Sequence, residues 1–382
     1  VPDELFDLKV GYTSFRNPIA LAPMGGMTDS KFANQYAAEA GLVILGGYNL
    51  DSMTQKAASQ MVARGREEFI SENPMTIIEK EIRSIKNGNI VAVNVRSTTV
   101  EPLLEAAAII KDNGAIIELD AHCRQQEMID IGAGQALVYN IPRLTEWIRK
   151  IKDTGVVLSV KIRGNVVEST ALARAIESAG ADILHLDAMK EGAGADLKFI
   201  KEIRDSTRMF LICNNSVTDA DTAKKMFARG ADMVSVARGI LDDSGLISRL
   251  VANISATQKD IGWYNAPKHV CRGEGDLRGL AFCCLPVKSC PVHSNIKKLG
   301  LTAQQFADIK MDFAKGTILE YGDSTCFGSL VWCCKISKPC FLRDGVLETL
   351  GLSDTEYMRL KKELGDYIIE QASKSSHGPK NG

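Results

Sequence analysis

A chain of 382 residues exceeds the size at which one hydrophobic core keeps growing, so one large domain and a smaller one are expected. Hydrophobic residues make up 45% and charged residues 24%, the balance of an ordinary folded protein rather than of a disordered or membrane chain. The 46 basic and 47 acidic residues leave a net charge of −1, which excludes nucleic-acid clamping by a broad positive surface and leaves room only for a local patch.

The opening VPDELFDLKVGYTSF carries acids where a secretory signal would carry a basic and then an apolar stretch, and no apolar run approaches the length of a bilayer span. A cytoplasmic protein with no membrane partner is the expectation. From there to about residue 255 short β-branched or apolar runs alternate with amphipathic stretches of helical length. The runs predict eight strands, at 19–24, 42–45, 90–95, 115–120, 156–162, 183–187, 209–214 and 233–236. Helices are predicted between them at 29–40, 100–112, 142–152, 168–179, 197–205 and 220–229. Glycines in AEAGL, DNGA, ESAGAD and FARGAD suit left-handed helix ends that feed the next strand. Eight such units in about 250 residues predict an α/β fold of the closed (β/α)8, or TIM-barrel, kind.

After Gly245 a helical stretch runs to about Asp260, and the alternation then stops. Residues 1–255 are read as the barrel domain, and 256–382 as a smaller, partly helical, cysteine-rich domain closing on an amphipathic helix at 354–372. Only Cys123 and Cys213 of the ten cysteines lie in the first part. The others are Cys271, Cys283, Cys284, Cys290, Cys326, Cys333, Cys334 and Cys340. FCCLPVKSCPV and WCCKISKPCFL both read aromatic-Cys-Cys-x5-Cys, and each is preceded by one further cysteine. Clustered thiols in a cytoplasmic chain point to metal rather than to disulfides. Two sets of four suit two iron–sulfur clusters of the 4Fe-4S type; zinc is the alternative, although its paired Cys-x2-Cys knuckles are missing, and a thiol redox or disulfide role is the third. His269 and His293 lie near enough in sequence to be ligands or packed neighbours.

Active sites of such barrels form at the carboxyl ends of the strands, where these residues are polar beyond structural need. The set is Met24, Asn94 with Arg96, Asp120 with Cys123, Lys161 with Arg163, Asp187, Asn214 with Asn215, and Arg238. Loops after the last two strands form the usual phosphate cradle, which selects Asn215, Ala237 and Arg238. His185, inside LHLDAM, reads equally as a barrel residue with a satisfied ring.

Several of these stretches resemble the tRNA-dihydrouridine synthases, flavin-dependent barrels that reduce a uracil double bond. NPIALAPMGGMTD resembles the family's opening signature and IVAVNVRSTTVEP its second; IIELDAHCRQQEM with IGAGQALV resembles its catalytic stretch. VKIRG and GADMVSVARGIL complete the series, over roughly residues 10–245. The resemblance implies FMN held by Pro23, Met24, Asn94, Lys161, Asn214, Asn215 and Arg238, to which the strand-end and phosphate-cradle readings add Asp187 and Ala237. Lys161 would meet the pyrimidine side of the flavin, and Cys123 falls at the proton-donating cysteine. Three motifs depart from the family. Asn-x-Gly-Cys-Pro becomes Asp120-Ala121-His122-Cys123-Arg124, His-Gly-Arg becomes Asp187-Ala188-Met189, and Asn-Gly-Asp becomes Asn214-Asn215-Ser216. A site built for uracil would lose polar partners there. His122 and Arg124 flank the thiol and would lower its pKa, which makes a thiolate nucleophile the rival chemistry. The cysteine-rich domain in turn resembles the methanogenesis marker 9 domain, which implies an anaerobic, archaeal-type setting.

Three functions remain open at this point. The first is an FMN-dependent oxidoreductase acting on a conjugated C=C bond of a small molecule, with Cys123 and Lys161 as catalytic groups and electrons passing through the C-terminal centres. The second is a tRNA-dihydrouridine synthase acting on tRNA uridine with a metal-binding tail. The third is a non-catalytic maturation factor that presents its metal module to a redox or maturation protein partner.

Overall fold

The computed structural model describes residues 8–261 apart from 191, 193 and 208, and scattered positions between 300 and 374. The eight C-terminal cysteines, His269 and His293 lie outside the described residues. Eight parallel strands pair in chain order and close into a barrel. They are β1 (Ile19–Leu21), β2 (Leu42–Asn49), β3 (Ile90–Arg96), β4 (Ile116–Ala121), β5 (Leu158–Arg163), β6 (Ile183–Asp187), β7 (Phe210–Asn214) and β8 (Met233–Val236). β2 and β4 are buried along their whole length, as strands covered on both faces must be. The helices cover the outside through apolar stripes. In Ile141–Asp153, for example, Leu144, Trp147, Ile148 and Ile151 face inward at helical spacing, and Asn140 caps the first turn by accepting from the Arg143 amide at 3.2 Å.

Two strands end well away from expectation, the others within one or two residues. β1 stops at Leu21 rather than at 24, because Ala22 makes the last ladder bond, donating to the Val236 carbonyl at 2.7 Å, and Pro23 has no amide to continue it. β2 does not stop before its glycines but runs on to Asn49, with its register to β3 shifting between Gly46 and Tyr48. The helices Ser52–Ala63 and Pro74–Arg83, between β2 and β3, are additional to those expected. The first buries only small or polar side chains besides Met61, which leaves a weak periodic signal, whereas the second buries Ile78 and Ile82 at helical spacing behind Pro74 and is legible in the sequence.

The amino-terminal end of the barrel is closed by a hairpin of Leu8–Val10 and Thr13–Phe15. Its Leu8, Val10 and Phe15 pack into one apolar layer with Leu42, Ile44, Ala92, Ile116, Ile183, Phe210, Ile212 and Met233. The Phe15 and Phe210 rings lie 5.4 Å apart. Two residues further along the same strands the inward positions turn polar: Asn94 and Arg96 on β3, Glu118 and Asp120 on β4, Ser159 and Lys161 on β5, His185 and Asp187 on β6, Ser235 on β8. Register places Glu118 beside Ser159, Lys161 between Asp120 and His185, and Asp187 between Arg163 and Asn214. The pleat thus stacks an apolar layer below polar ones.

The chain divides into two compact units, one of Leu8–Met226 with Ala231–Asn253 and the other taking in Ile254 onward. In the second, Ser353 and Glu356 exchange a capping box at 2.8 and 3.3 Å. Positions 356, 359, 363, 366, 367, 370 and 371 are helical, within the stretch expected to form the last helix. No helix among the described residues is long and apolar enough to cross a membrane.

Candidate active site

The lower polar layer is one hydrogen-bonded chain. Asn94 Nδ2 donates to Glu118 Oε1 at 2.9 Å, while Glu118 Oε2 accepts from Ser159 Oγ at 2.9 Å and from His185 Nδ1 at 2.8 Å. His185 Nε2 lies 2.8 Å from Ser235 Oγ, and Asn214 Nδ2 donates to the same hydroxyl at 3.0 Å. Burial penalises the Glu118 charge, but His185, Lys161 and the Asn94 donor outweigh it and hold the carboxyl at about 2. Burial and Lys161 push His185 below its usual value, and the Glu118 bond only partly restores it, so the ring is neutral. An anionic Glu118 requires Nδ1 to carry the proton, which leaves Nε2 to accept from Ser235. The two asparagines expected to hold a flavin are therefore oriented from below by Glu118, His185 and Ser235.

Above this layer stands Lys161, 5% exposed. Burial lowers its pKa, while Glu118, Asp120 and Asp187 act in the opposite direction. Its ammonium makes no hydrogen bond or ion pair among the described residues. A donor without a protein acceptor, on a largely enclosed side chain in a mouth whose other groups largely satisfy one another, is the mark of a ligand position.

Cys123 sits on the loop that leaves β4. Asp120 Oδ1 accepts from the amides of His122 and Cys123, both at 2.9 Å, so this carboxylate shapes the loop rather than standing free for a ligand. Arg96, at the end of β3 and 3% exposed, donates from Nη1 to Cys123 Sγ at 3.3 Å. Its Nη2 donates to Glu68 Oε2 at 2.5 Å and to the Gly47 carbonyl at 3.1 Å. Glu68 reaches the mouth because the loop after β1 leaves room for it: Gly26 has φ 75°, and a side chain there would collide with the backbone of Glu67 and Glu68. Pro23 and Met24 lie in this loop, which Met24 closes by accepting from the Met27 and Thr28 amides at 3.0 Å.

The structure corrects the expectation that His122 and Arg124 activate the thiol. His122 turns away, its Nε2 2.8 Å from Asp187 Oδ2, and Arg124 is exposed. Burial raises the Cys123 pKa by more than Arg96 lowers it, so at neutral pH the sulfur carries its proton. Cys213, in the barrel wall, is fully buried and also pushed up.

The remaining expected residues ring the mouth. Asp187 is engaged by His122 and by Asn215 Nδ2 at 3.0 Å; burial disfavours its charge, but these two donors and Lys161 hold it ionised. Asn215 and Ser216 both have positive φ, 114° and 53°, a strained turn fixed by the Asn215–Asp187 bond and by Ser216 Oγ donating to Asn215 Oδ1 at 2.7 Å. Ala237 and Arg238 follow β8, with Arg238 exposed and opening a one-turn helix, Gly239–Asp242. The barrel thus brings the expected residues of its first 255 to one end. Glu68, Glu118, Ser159 and Ser235 join them without having been singled out in the sequence. Polar residues at alternate positions inside IIELD, LSVKI and MVSV are the signal for the last three; Glu68 has none.

A closed parallel barrel whose carboxyl end gathers a buried lysine, two oriented asparagines and a protonated thiol belongs to the FMN-dependent oxidoreductases that act on CH–CH bonds. Comparison with known proteins gives the particular group. Residues 20–272, more than half of the chain, match the dihydrouridine synthase family, and the chain belongs to it. An uncharacterized protein of Methanocaldococcus jannaschii is 35% identical over 230 residues, 58% of this chain and 89% of that protein. A second from the same organism is 54% identical over 112 residues, 29% of this chain and 72% of that one. A protein of Rickettsia bellii named as a probable tRNA-dihydrouridine synthase is 25% identical over 254 residues, 64% of this chain and 73% of that protein. A DHODH from Eimeria tenella, solved in complex with ferulenol, superposes with a TM-score of 0.51 at 13% identity, over 68% of this chain and 86% of that one, a likeness of fold.

Proposed function

We propose that the chain reduces a conjugated carbon–carbon double bond with FMN as its flavin and Cys123 as the proton donor. The observation that carries this reading is a protonated thiol held on the loop after β4 by Asp120 and Arg96, in a family barrel whose strand-end lysine has no acceptor of its own. FMN, when bound, supplies the hydride. Pro23, Met24, Asn94, Lys161, Asp187, Asn214, Asn215, Ala237 and Arg238 would hold it, and the unpartnered Lys161 ammonium fits a ring that gains negative charge on reduction. Glu118, His185 and Ser235 fix the hydrogen-bonding sense of Asn94 and Asn214 before any ligand arrives. Cys123 gives its proton to the substrate carbon that does not receive the hydride.

Such general acid catalysis is worth about 10²–10⁴-fold, which sets the test. In Cys123→Ala, reduction of the flavin by its electron donor should proceed as in the wild type, while reoxidation by substrate slows at least about tenfold. Equal slowing of both halves, or of neither, contradicts the role. Uridine in tRNA is the second reading, favoured by the names of the bacterial relatives. The tying of Asp120 to loop amides favours the first, since this carboxylate is occupied where the family's motif differs. Dihydrouridine formed in a tRNA transcript by the flavin-loaded chain would select tRNA. Retained flavin with no reducible substrate would select the maturation factor.

The eight cysteines from Cys271 to Cys340 are proposed, on their repeated spacing and their resemblance to the methanogenesis marker 9 domain, as ligands of two iron–sulfur centres that feed electrons to the barrel. Anaerobic preparations should hold about eight iron atoms per chain, four for each centre. Zinc without visible-region absorption would contradict that assignment.

A further inference from the structure

We propose that Arg96 is a positioning residue that receives the negative charge left on Cys123 when the thiol gives up its proton, and that Glu68 sets how strongly it does so. The proposal deepens the reading of Cys123 as an acid and rests on it. An acid in an apolar pocket has two conflicting needs. Burial keeps the proton on sulfur at rest, yet the same burial destabilises the thiolate that transfer leaves behind. Transfer breaks the S–H bond, leaves its electron pair on sulfur, and forms a C–H bond with the pair released from the reduced double bond. A charge-assisted N–H···S bond that strengthens as the sulfur becomes anionic meets the second need without abolishing the first.

The geometry supplies such a bond and immobilises both ends. Arg96 Nη1 already lies 3.3 Å from Sγ, and the planar guanidinium is anchored by Glu68 and the Gly47 carbonyl. Its Nε is buried without a hydrogen-bond partner, 3.8 Å from Asp120 Oδ2. On the other side the Cys123 amide is held by Asp120 and its carbonyl accepts from the Gln135 amide at 2.9 Å. Its side chain packs on the cluster of Ala57, Ala58, Met61, Met128 and Ala133. Gly134, at φ 59°, allows this approach: a Cβ there would lie 2.6 Å from the Cys123 carbonyl oxygen and 2.9 Å from its Cβ.

The groups that bear on the sulfur divide by sign. Arg96, the Gln125 amide and, from beyond the helix Ser52–Ala63, Arg64 favour the thiolate; Asp120 and Glu68 oppose it. Glu68 therefore has two effects, fixing the guanidinium in place and moderating its pull. Neither residue is near Cys123 in sequence, at 27 and 55 positions away.

The test follows the thiol and not turnover. Iodoacetamide alkylation of the full-length chain is measured across pH, with the Cys123 and Cys213 peptides quantified by mass spectrometry. Arg96→Gln should raise the pH midpoint of Cys123 alkylation by about one unit or more, the effect of removing an opposite charge at this range. Arg96→Lys should fall between it and the wild type, and Glu68→Gln should move the midpoint down. Cys213, buried in the wall, reports opening of the barrel; if Arg96→Gln exposes it, the Glu68→Gln and Arg96→Lys arms decide. An unchanged midpoint in Arg96→Gln with Cys213 protected, or a Glu68→Gln midpoint that stays or rises, overturns the proposal. The acid reading fails separately, if Cys123→Ala leaves reoxidation by substrate unslowed.

Discussion

The two ends of the barrel are made by the same strands, two residues apart, and obey different rules. At the amino-terminal end the inward side chains are aliphatic or aromatic and the hairpin plugs them. One charged pair there, Arg204 with Asp232, is fully buried, 2.9 Å apart, and tied into carbonyls of Thr207 and Met209 and the Leu211 amide. At the carboxyl end four carboxylates, two histidines, a lysine and an arginine share a small volume. Tyr48 OH, Asn49 Oδ1 and Arg96 Nε are buried there without hydrogen-bond partners. The contrast teaches that the closed end ties its charges to one another and to the backbone and carries stability, while the open end gathers charged groups, Lys161 among them, where a ligand can reach them.

The contrast breaks if a change at one end behaves like a change at the other. The largest effect is expected at the closed end. Arg204→Ala breaks this buried ion pair and should lower the unfolding free energy by about 3–5 kcal/mol in urea titration. The fraction that stays folded should bind FMN as the wild type does; lost affinity with intact stability would erase the division. At the open end Lys161→Met should reverse the pattern. FMN affinity should fall by about tenfold to a hundredfold, the range for losing a hydrogen bond to a charged group, with the urea midpoint little moved.

The smallest effect sharpens the comparison through pH. Glu118 is held at about 2, below its ordinary value of 4.5, and His185 lies below its ordinary 6.5. In both cases the unfolded chain binds more protons than the folded one, so both contributions are fully present above the unfolded values and are lost as pH falls. Stability should decline first below about 6.5, as unfolded histidine protonates, and more steeply below about 4.5, by at most about 1.4 kcal/mol per group per pH unit. His185→Asn should remove the upper limb and weaken the lower, since His185 is one of the groups that hold the Glu118 carboxyl down. Persistence of the upper limb in that variant would show that His185 is not the neutral member of the network.

Much of this arrangement is legible in the chain because strand periodicity and strand-end chemistry are local. All eight barrel strands follow from apolar runs, and Lys161, Asp187, Asn214 and Cys123 follow from the rule that strand ends face the mouth. That rule stops one layer too high. It finds Asp120 but passes over Glu118, two residues earlier on the same face, and treats His185 as indifferent although it is the hub of the lower layer. Stepping back by two from each polar strand end would have recovered Glu118, Ser159 and His185. Glu68 and the Arg96–Cys123 contact are of another kind. They join segments 28 and 27 residues apart, through a loop that only the Gly25–Gly26 turn admits, so nothing in either stretch announces the other. Proximity in sequence pointed instead to His122 and Arg124, which the loop directs elsewhere.

The central claim is that the polar end of this barrel is a flavin site, and release of cofactor tests it most directly. The full-length chain, purified without oxygen and then denatured, should yield FMN in equimolar amount, with a flavin absorption spectrum before denaturation. A colourless chain that also fails to take up added FMN in a calorimetric titration would contradict the account.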